Sequence, residues 1–280
     1  MKKIIGYITV SILLAGVLFF GLRAYGGAKA YERTTAALVA QMQPAELAVF
    51  QAKEWAEILS FGIYKNKKRQ ELEALRSTQE RYRAKSMKMM YYSMGLMGIV
   101  LLFYFLLSLR AFTFFGALGA GIMLLFGLNA PILMVTIHKE VEYLGDVVLS
   151  FESKGVLGSV EKLFAHGDGV VAGVILLFSV IIPSVKILSM MFVSLFMESR
   201  FAHSIVTFFK MIGKWSMVDV FVVATFLVYL TTDKGDVSRA EVEVGLYYFL
   251  AYVIISMLVS LSADRMLHQA RIEATAPKTS

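Results

Sequence analysis

The chain has 280 residues, 58% of them hydrophobic, and a formal net charge of +7 at pH 7. It contains no cysteine, which excludes disulfides, thiolate metal ligands and cysteine nucleophiles. In a chain this apolar, a basic excess is typical of loops that face anionic lipid, so we expect no nucleic-acid partner.

Apolar blocks long enough to cross a bilayer dominate the chain, since a helix needs about 20 residues to span the hydrocarbon core. The blocks cover residues 4–22, 89–107, 112–128, 170–197, 215–230 and 245–261. The sequence therefore predicts an all-α integral membrane protein with about six transmembrane helices. Lys2 and Lys3 precede the first block, and without a clear cleavage site a retained signal anchor is favoured over a cleaved signal peptide.

Residues 23–88 form a polar insert between the first two spans. Apolar side chains at three-to-four spacing predict helices over 36–43 and 45–61. A basic run over 65–88 is predicted to continue as one helix into the second span. This run is either a solvated helix along lipid headgroups or a docking surface for a partner, and both interpretations stay open.

A second polar region, residues 130–168, has a different pattern. Alternating apolar side chains predict short strands over 134–141 and 144–151, and a short amphipathic helix is predicted over 156–164. We therefore expect a small β-containing cap on the helical membrane domain.

Lysines and arginines of short loops predict the orientation. The loop 198–214 and the tail 269–280 both contain lysines and arginines, which places these two segments in the cytoplasm together with the N-terminus. The acidic cap and residues 233–243 then lie outside the cytoplasm. The basic insert is exported in this topology, which is tolerated because long segments translocate largely regardless of charge.

No motif in the chain indicates catalysis, a cofactor or a metal. His138, His166 and Asp168 fall in the cap but lack the fixed spacing of a metal site. No nucleophile–base pair, phosphate-binding glycine loop or nucleotide motif is present. We expect a protein that is not an enzyme and that needs no cofactor.

Polar side chains recur in the last spans, and a charge at membrane depth costs roughly 2.5–3.5 kcal/mol and usually marks a pathway or a site. The recurring residues are Ser179, Ser184, Lys186, Ser216, Asp219, Ser256 and Ser260, and Pro183 in the same helix as Lys186 frees a backbone carbonyl that needs another donor. Ser179 and Lys186 are seven residues apart, as on one face of a helix. Lys186 and Asp219 either pair directly or interact through water or a hydroxyl group. In the simplest alternative, Lys186 extends to the headgroups and Asp219 caps its helix.

Several motifs follow one another in the second half of the chain. They are Asn129-Ala130-Pro131-Ile132, Ser179-Val180-Ile181-Ile182-Pro183-Ser184-Val185-Lys186, Gly213-Lys214-Trp215-Ser216-Met217-Val218-Asp219-Val220-Phe221, Gly245-Leu246-Tyr247 and Asp264-Arg265-Met266-Leu267. In content and order, from about residue 108 to 267, they resemble the paraquat-inducible protein A family of bacterial inner-membrane proteins. Asn129, Pro131, Gly213 and Trp215 are structural positions of these motifs.

The resemblance implies a four-helix transmembrane module over residues 108–268, with the cap at 130–168. Such modules work with periplasmic mammalian-cell-entry (MCE) proteins in moving phospholipid between membranes. The resemblance also implies one intramembrane polar network, formed by Ser179, Lys186, Ser216, Asp219 and Ser256.

The chain departs from the family pattern in two respects. Members commonly carry cysteine-rich zinc ribbons and two modules, whereas this chain has no cysteine and one module, so zinc is not expected. Residues 1–107 have no recognised counterpart. Either a homo-oligomer restores the second module, or the additional spans take its place.

The leading hypothesis is phospholipid transport in the bacterial inner membrane, with both termini cytoplasmic. Lys186 would hold an anionic headgroup or take part in a proton-coupled network, and Asp219 would balance its charge. One alternative is a non-transporting scaffold that anchors a partner protein. Another is an ion-coupled carrier of small solutes.

Overall fold

The computed structural model describes residues 2–41, 67–141, 145–195 and 238–275. Within these ranges, five helices are long and apolar enough to cross a membrane, which agrees with the predicted all-α membrane protein. They are Ile4–Gln41, Gln70–Phe105, Leu109–Asn129, Gly169–Leu195 and Val244–Met266. The span predicted over 215–230 and the helix predicted over 45–61 lie outside the described residues.

Helices α1 (Lys2–Gln41) and α2 (Lys67–Leu102) pack against each other in antiparallel fashion and form the N-terminal helix pair. The buried positions of α1 recur at alternating steps of four and three residues, the heptad spacing of a coiled coil. They are Val10, Leu14, Val17, Gly21, Ala24, Ala28, Tyr31, Thr35 and Leu38, and Gly27, next to Ala28, is buried as well. The Ser86 hydroxyl donates to the Ala24 carbonyl at 2.7 Å, and that of Ser93 to the Val17 carbonyl at 3.0 Å.

Helix α1 is longer than the sequence predicted. A span over 4–22 and a separate helix over 36–43 were expected, whereas α1 runs without a break from Lys2 to Gln41. Its heptad face stays in contact with α2 beyond the apolar block, and this packing explains the continuity. The prediction that the basic run continues into the second span is confirmed by α2.

The other membrane helices surround α3 (Leu109–Asn129), which packs against α1, α6 and α7. Three consecutive segments form the next span: α5 (Gly169–Leu176), a π-helical turn (Leu177–Ile181) and α6 (Ile182–Leu195). The last helix is α7 (Val244–Thr275). Gly116 and Gly127 let α3 approach α7 closely, as small residues do in membrane bundles.

A three-stranded antiparallel sheet lies at one end of the bundle, in the order β2-β1-β3. Its strands are β1 (Leu133–Val141), β2 (Gly145–Lys154) and β3 (Ser238–Val242), and helix α4 (Val156–Ala165) follows β2. The two strands and the short helix predicted for the cap are confirmed. The sequence analysis missed β3, a short segment with two charged residues whose strand pairing comes from β1.

The sheet joins the bundle at Pro131 and Gly245. The Gly245 N–H donates to the Pro131 carbonyl at 2.8 Å. A Cβ atom at Gly245 would lie only 2.5 Å from the carbonyl oxygen of Ala130, so this contact requires glycine. Asn129 ends α3 beside this junction, and its side chain donates to the Leu125 carbonyl at 2.8 Å.

The described helix ends define two faces of the bundle. The sheet, the end of α3 and the starts of α5 and α7 lie at one face, together with the Gln41 end of α1 and the Lys67 end of α2. The start of α1 and the later parts of α6 and α7 lie toward the other face. The flanks of the insert and the cap thus share a face, consistent with the predicted topology. The compartment that each face meets stays a prediction.

Candidate functional site

A buried lysine lies in the span formed by α5, the π turn and α6. Lys186 is only 9% exposed and belongs to the first turns of α6. Pro183 lies three residues earlier, and a proline inside a regular helix clashes with the carbonyl four residues before it, here that of Ser179. The π turn over Leu177–Ile181 widens the helix at this point and accommodates the proline.

Lys186 faces a second polar residue from another helix. Its Nζ atom donates to the Oγ atom of Ser256 on α7, at 3.4 Å. The Ser256 hydroxyl in turn donates to the Val253 carbonyl at 3.0 Å, so its oxygen lone pairs remain available to the ammonium group. Two residues of the predicted polar network therefore meet inside the bundle.

The other predicted residues divide into two groups. Pro183 is buried, and Ser179 and Ser184 are half-buried in the same span as Lys186. The π turn interrupts the regular α-helical spacing that predicted a common face for Ser179 and Lys186. Gly213, Trp215, Ser216 and Asp219 lie outside the described residues. The pairing of Lys186 with Asp219 thus stays a prediction.

A neutral polar contact between α3 and α7 serves as a reference for the contact between Lys186 and Ser256. The Thr113 hydroxyl on α3 donates to the Ser262 hydroxyl on α7 at 3.2 Å, and both residues are buried. Ser262 lies six residues beyond Ser256, or about 9 Å along the helix at 1.5 Å per residue. Among the described residues, α7 therefore carries a neutral and a charged polar contact a short distance apart.

An arginine that the sequence analysis did not single out fastens α3 to α6. The Arg110 guanidinium donates to the carbonyl of Ser194 at 2.7 Å and to that of Leu195 at 2.6 Å. The Ser194 hydroxyl donates back to the Arg110 carbonyl at 2.6 Å. An arginine at the start of a span is usually an anchor at the membrane surface. The position of Arg110 in the sequence therefore does not indicate that it joins α3 to α6.

Comparison with known protein families identifies the second half of the chain. The family model for paraquat-inducible protein A matches residues 117–273, which is more than half of the chain. The chain belongs to the paraquat-inducible protein A family. The matched region holds Lys186 and Ser256, and the N-terminal helix pair precedes it. We refer to the described part from α3 to α7 as the family module.

One curated relative matches part of the chain. It is a protein of Haemophilus influenzae named "probable intermembrane transport protein", 29% identical over 118 residues. The match covers 40% of this chain and 28% of the relative, so the chain spans less than a third of that protein. No solved structure matches the chain.

A charged cluster joins the N-terminal helix pair to the family module. An Arg83 guanidinium nitrogen on α2 lies 3.1 Å from a carboxylate oxygen of Glu241, and the Tyr31 hydroxyl donates to the same oxygen at 3.3 Å. The Arg83 Nε atom is 3.8 Å from Oε1 of Glu243, whose side chain is 2% exposed. Burial raises the pKa of the Glu243 carboxyl to about 7, although Arg83 opposes the rise.

This cluster was not predicted from the sequence, because Arg83 lies in the basic run over 65–88, which was interpreted as either a solvated helix or a docking surface. The acidic partners lie more than 150 residues later, in β3 and just beyond it. Pairing across such a distance depends on how α2 packs against the sheet. Local sequence patterns carry no information on that packing.

Proposed function

We propose that this chain is the inner-membrane component of a phospholipid transport system that works with a periplasmic MCE-type protein. The observation that carries the proposal is the buried Lys186 beside Ser256, inside the family module. The name of the Haemophilus influenzae relative supports intermembrane transport. The family resemblance supports phospholipid as cargo and an MCE-type protein as partner.

The energetic cost of Lys186 favours transport over a purely structural role. A charged side chain at the centre of a span costs roughly 2.5–3.5 kcal/mol. Neutral hydroxyl groups suffice to bridge helices in this bundle, as the contact between Thr113 and Ser262 demonstrates. A lysine is therefore more than helix packing requires, and a charge retained at that cost is suited to an anionic cargo or a proton.

In this proposal each polar group has a separate task. The Lys186 ammonium attracts the phosphate of a lipid headgroup, and the Ser256 hydroxyl orients that ammonium. Asp219 balances the charge when no lipid is bound. Cargo crosses intact, so no bond is made or broken and no residue is assigned a catalytic role. The sheet face lies in the periplasm, and both termini lie in the cytoplasm.

Replacing Lys186 with methionine tests the proposal, because methionine keeps a long, flexible side chain and removes the charge. We expect the phospholipid that photocrosslinks to the helices around Lys186, α6 and α7, to fall at least tenfold. Association with the MCE-type partner should persist. The Lys186→Arg variant keeps the charge and should retain more lipid than the methionine variant.

Thr113→Val is the matched control, since it removes a buried hydroxyl from the same bundle without changing charge. It should leave the specific lipid in place. Wild-type lipid capture together with wild-type lipid flux in Lys186→Met would overturn the transport proposal. Normal partner association in that variant would then favour the scaffold alternative.

A further inference from the structure

A groove of about 560 Å³ lies where the N-terminal helix pair meets the family module, at the face that carries the sheet. Its walls come from α1, the end of α3, β2 and α4, so no single segment forms it. The charged and titratable residues that line it are Lys29, Glu32, Glu152, Lys162, His166 and Asp168. None of them belongs to the polar network around Lys186.

Two ion pairs from different parts of the fold line the groove. Lys29 of α1 pairs with Glu32 at 3.0 Å, and Lys162 of α4 pairs with Glu152 of β2 at 3.3 Å. All four side chains are partly exposed to the groove or the solvent. Exposed ion pairs of this kind contribute only about 0–1 kcal/mol, so a ligand that offers both charges can replace them at little cost.

The groove lies at the boundary of the membrane. Asn129, in its wall, ends the span Leu109–Asn129, and Asp168, also in its wall, immediately precedes the span Gly169–Leu195. Val170, the second residue of that span, is 84% exposed, and Val171 and Val174 continue an exposed apolar surface along the span. Acyl chains can therefore lie against that surface while a headgroup occupies the groove.

Helix α4 supports this placement at the level of the headgroups. It is amphipathic, with Lys162 directed toward the groove and with Leu157 and Phe164 exposed. Aliphatic and aromatic side chains exposed at the edge of a membrane domain are typical of helices that lie in the interface. The apolar part of α4 is thus suited to lipid, and its polar part to a headgroup.

We propose that this groove binds the headgroup of a zwitterionic phospholipid that carries a phosphate and a primary ammonium, as phosphatidylethanolamine does. Lys29 and Lys162 contact the phosphate, and Glu32 and Glu152 contact the ammonium. We call it the headgroup groove. The inference rests on the proposed lipid transport and adds a second site, since Asp168 lies roughly 27 Å along the span from Lys186 at 1.5 Å per residue.

The headgroup groove also gives the N-terminal helix pair a role. Lys29 and Glu32 belong to α1, outside the region matched by the family model. The helix pair therefore supplies one of the two ion pairs in the groove, and the family module supplies the other. Binding of the headgroup would link the two parts of the chain.

The test uses full-length protein in nanodiscs that contain photoactivatable phosphatidylethanolamine, with crosslinked peptides mapped by mass spectrometry. Labelling should occur on residues 155–168 and should fall at least fivefold in the double variant Lys29→Met/Lys162→Met. Lys85→Met, which removes an exposed lysine of α2 outside the groove, should label as the wild type does. Unchanged labelling in the double variant would overturn the proposal.

A second variant tests the selectivity and does not depend on the lysine variants folding. Glu32→Gln/Glu152→Gln removes the ammonium contacts, so labelling by phosphatidylethanolamine should fall relative to labelling by phosphatidylglycerol. A lipid preference that does not change in this variant would rule out recognition of a zwitterion. Equal labelling by a water-soluble phosphoethanolamine probe would rule out a membrane lipid as the occupant.

The Lys186→Met protein separates this inference from the proposed function. It should lose lipid flux and keep wild-type labelling at residues 155–168. If the wild-type protein labels in the groove but moves no lipid, the proposed transport function is wrong and the headgroup groove is not affected. If the wild-type protein moves lipid but does not label in the groove, the headgroup groove is wrong and the transport function is not affected.

Discussion

The N-terminal helix pair and the family module place polar groups in a membrane in different ways. In the membrane half of the helix pair, Ser86 and Ser93 donate to carbonyls of the opposite helix, and the heptad positions of α1 are apolar or small. The family module contains similar neutral contacts but also keeps the ammonium of Lys186. Neutral groups are therefore sufficient for helix association in this protein, and the buried charge of Lys186 needs another explanation.

Glycine contacts give the largest expected contrast between the two regions. In Gly245→Ala the new methyl group would meet the Ala130 carbonyl oxygen at 2.5 Å, and overpacking against a fixed backbone should cost about 3 kcal/mol. In Gly27→Ala it would meet the Cβ atom of Ser86 at 3.0 Å, which calls for a smaller adjustment and a smaller loss. Thermal unfolding in detergent measures both changes.

Gly26→Ala is the control, because nothing lies within 4 Å of the position of its new methyl group. A glycine in a helix is less favourable than alanine by about 1 kcal/mol, so this variant should be slightly more stable than the wild type. If Gly245→Ala were as stable as Gly26→Ala, the close contact that we describe between Gly245 and the backbone of Ala130 would be contradicted.

The free energy of unfolding should depend on pH through Glu243, which lies at the contact between the two regions. Its pKa in the folded protein, about 7, is above the ordinary value of 4.5, so the folded state binds the proton more tightly than the unfolded state. The stability gained in this way is fully present below about pH 4.5 and is lost as pH rises through about 7. At 1.36 kcal/mol per pKa unit, the loss is roughly 3 kcal/mol.

Glu243→Gln removes this titration, so its free energy of unfolding should change less between pH 5 and pH 8 than that of the wild type. Unfolding measured at the two pH values gives the comparison. Glu161→Gln changes an exposed position of α4, so its free energy of unfolding should vary with pH as that of the wild type does. If the free energy of unfolding of Glu243→Gln changed with pH as much as that of the wild type, another group would be responsible for the pH dependence.

The smallest expected effect concerns the neutral contacts. Ser86→Ala in the helix pair and Thr113→Val in the family module each remove one hydroxyl contact between helices. Side-chain hydrogen bonds between membrane helices contribute about 0.6 kcal/mol on average, so the two losses should be similar and small. A loss of several kcal/mol at either site, measured by the same unfolding assay, would show that neutral contacts are not interchangeable.

The sequence predicted the parts of the fold that local patterns encode. Apolar blocks identified the five described spans, and alternating side chains identified β1 and β2. The continuous helix from the basic run into the second span was also predictable, because no proline or glycine interrupts residues 67–94. The family resemblance, confirmed by the match over residues 117–273, came from short motifs in a fixed order.

Features that depend on packing between distant segments could not be predicted. Strand β3 has little strand character of its own and owes its structure to β1. The sequence analysis grouped Lys186 with Ser256 as polar residues of neighbouring spans, but their direct contact requires a particular rotation of α6 against α7. The headgroup groove brings together α1, β2 and α4, whose charged residues look individually like solvated surface.

The length of α1 has a mechanical consequence. A helix of 40 residues extends about 60 Å at 1.5 Å per residue, twice the thickness of a bilayer core. Because its heptad contacts with α2 continue across the membrane boundary, the two helices lack a hinge there. A sideways force on the outer half would therefore tilt the inner half in the opposite direction, as a rigid lever turns about a pivot. The movement would in this way reach α3, which α1 contacts inside the membrane.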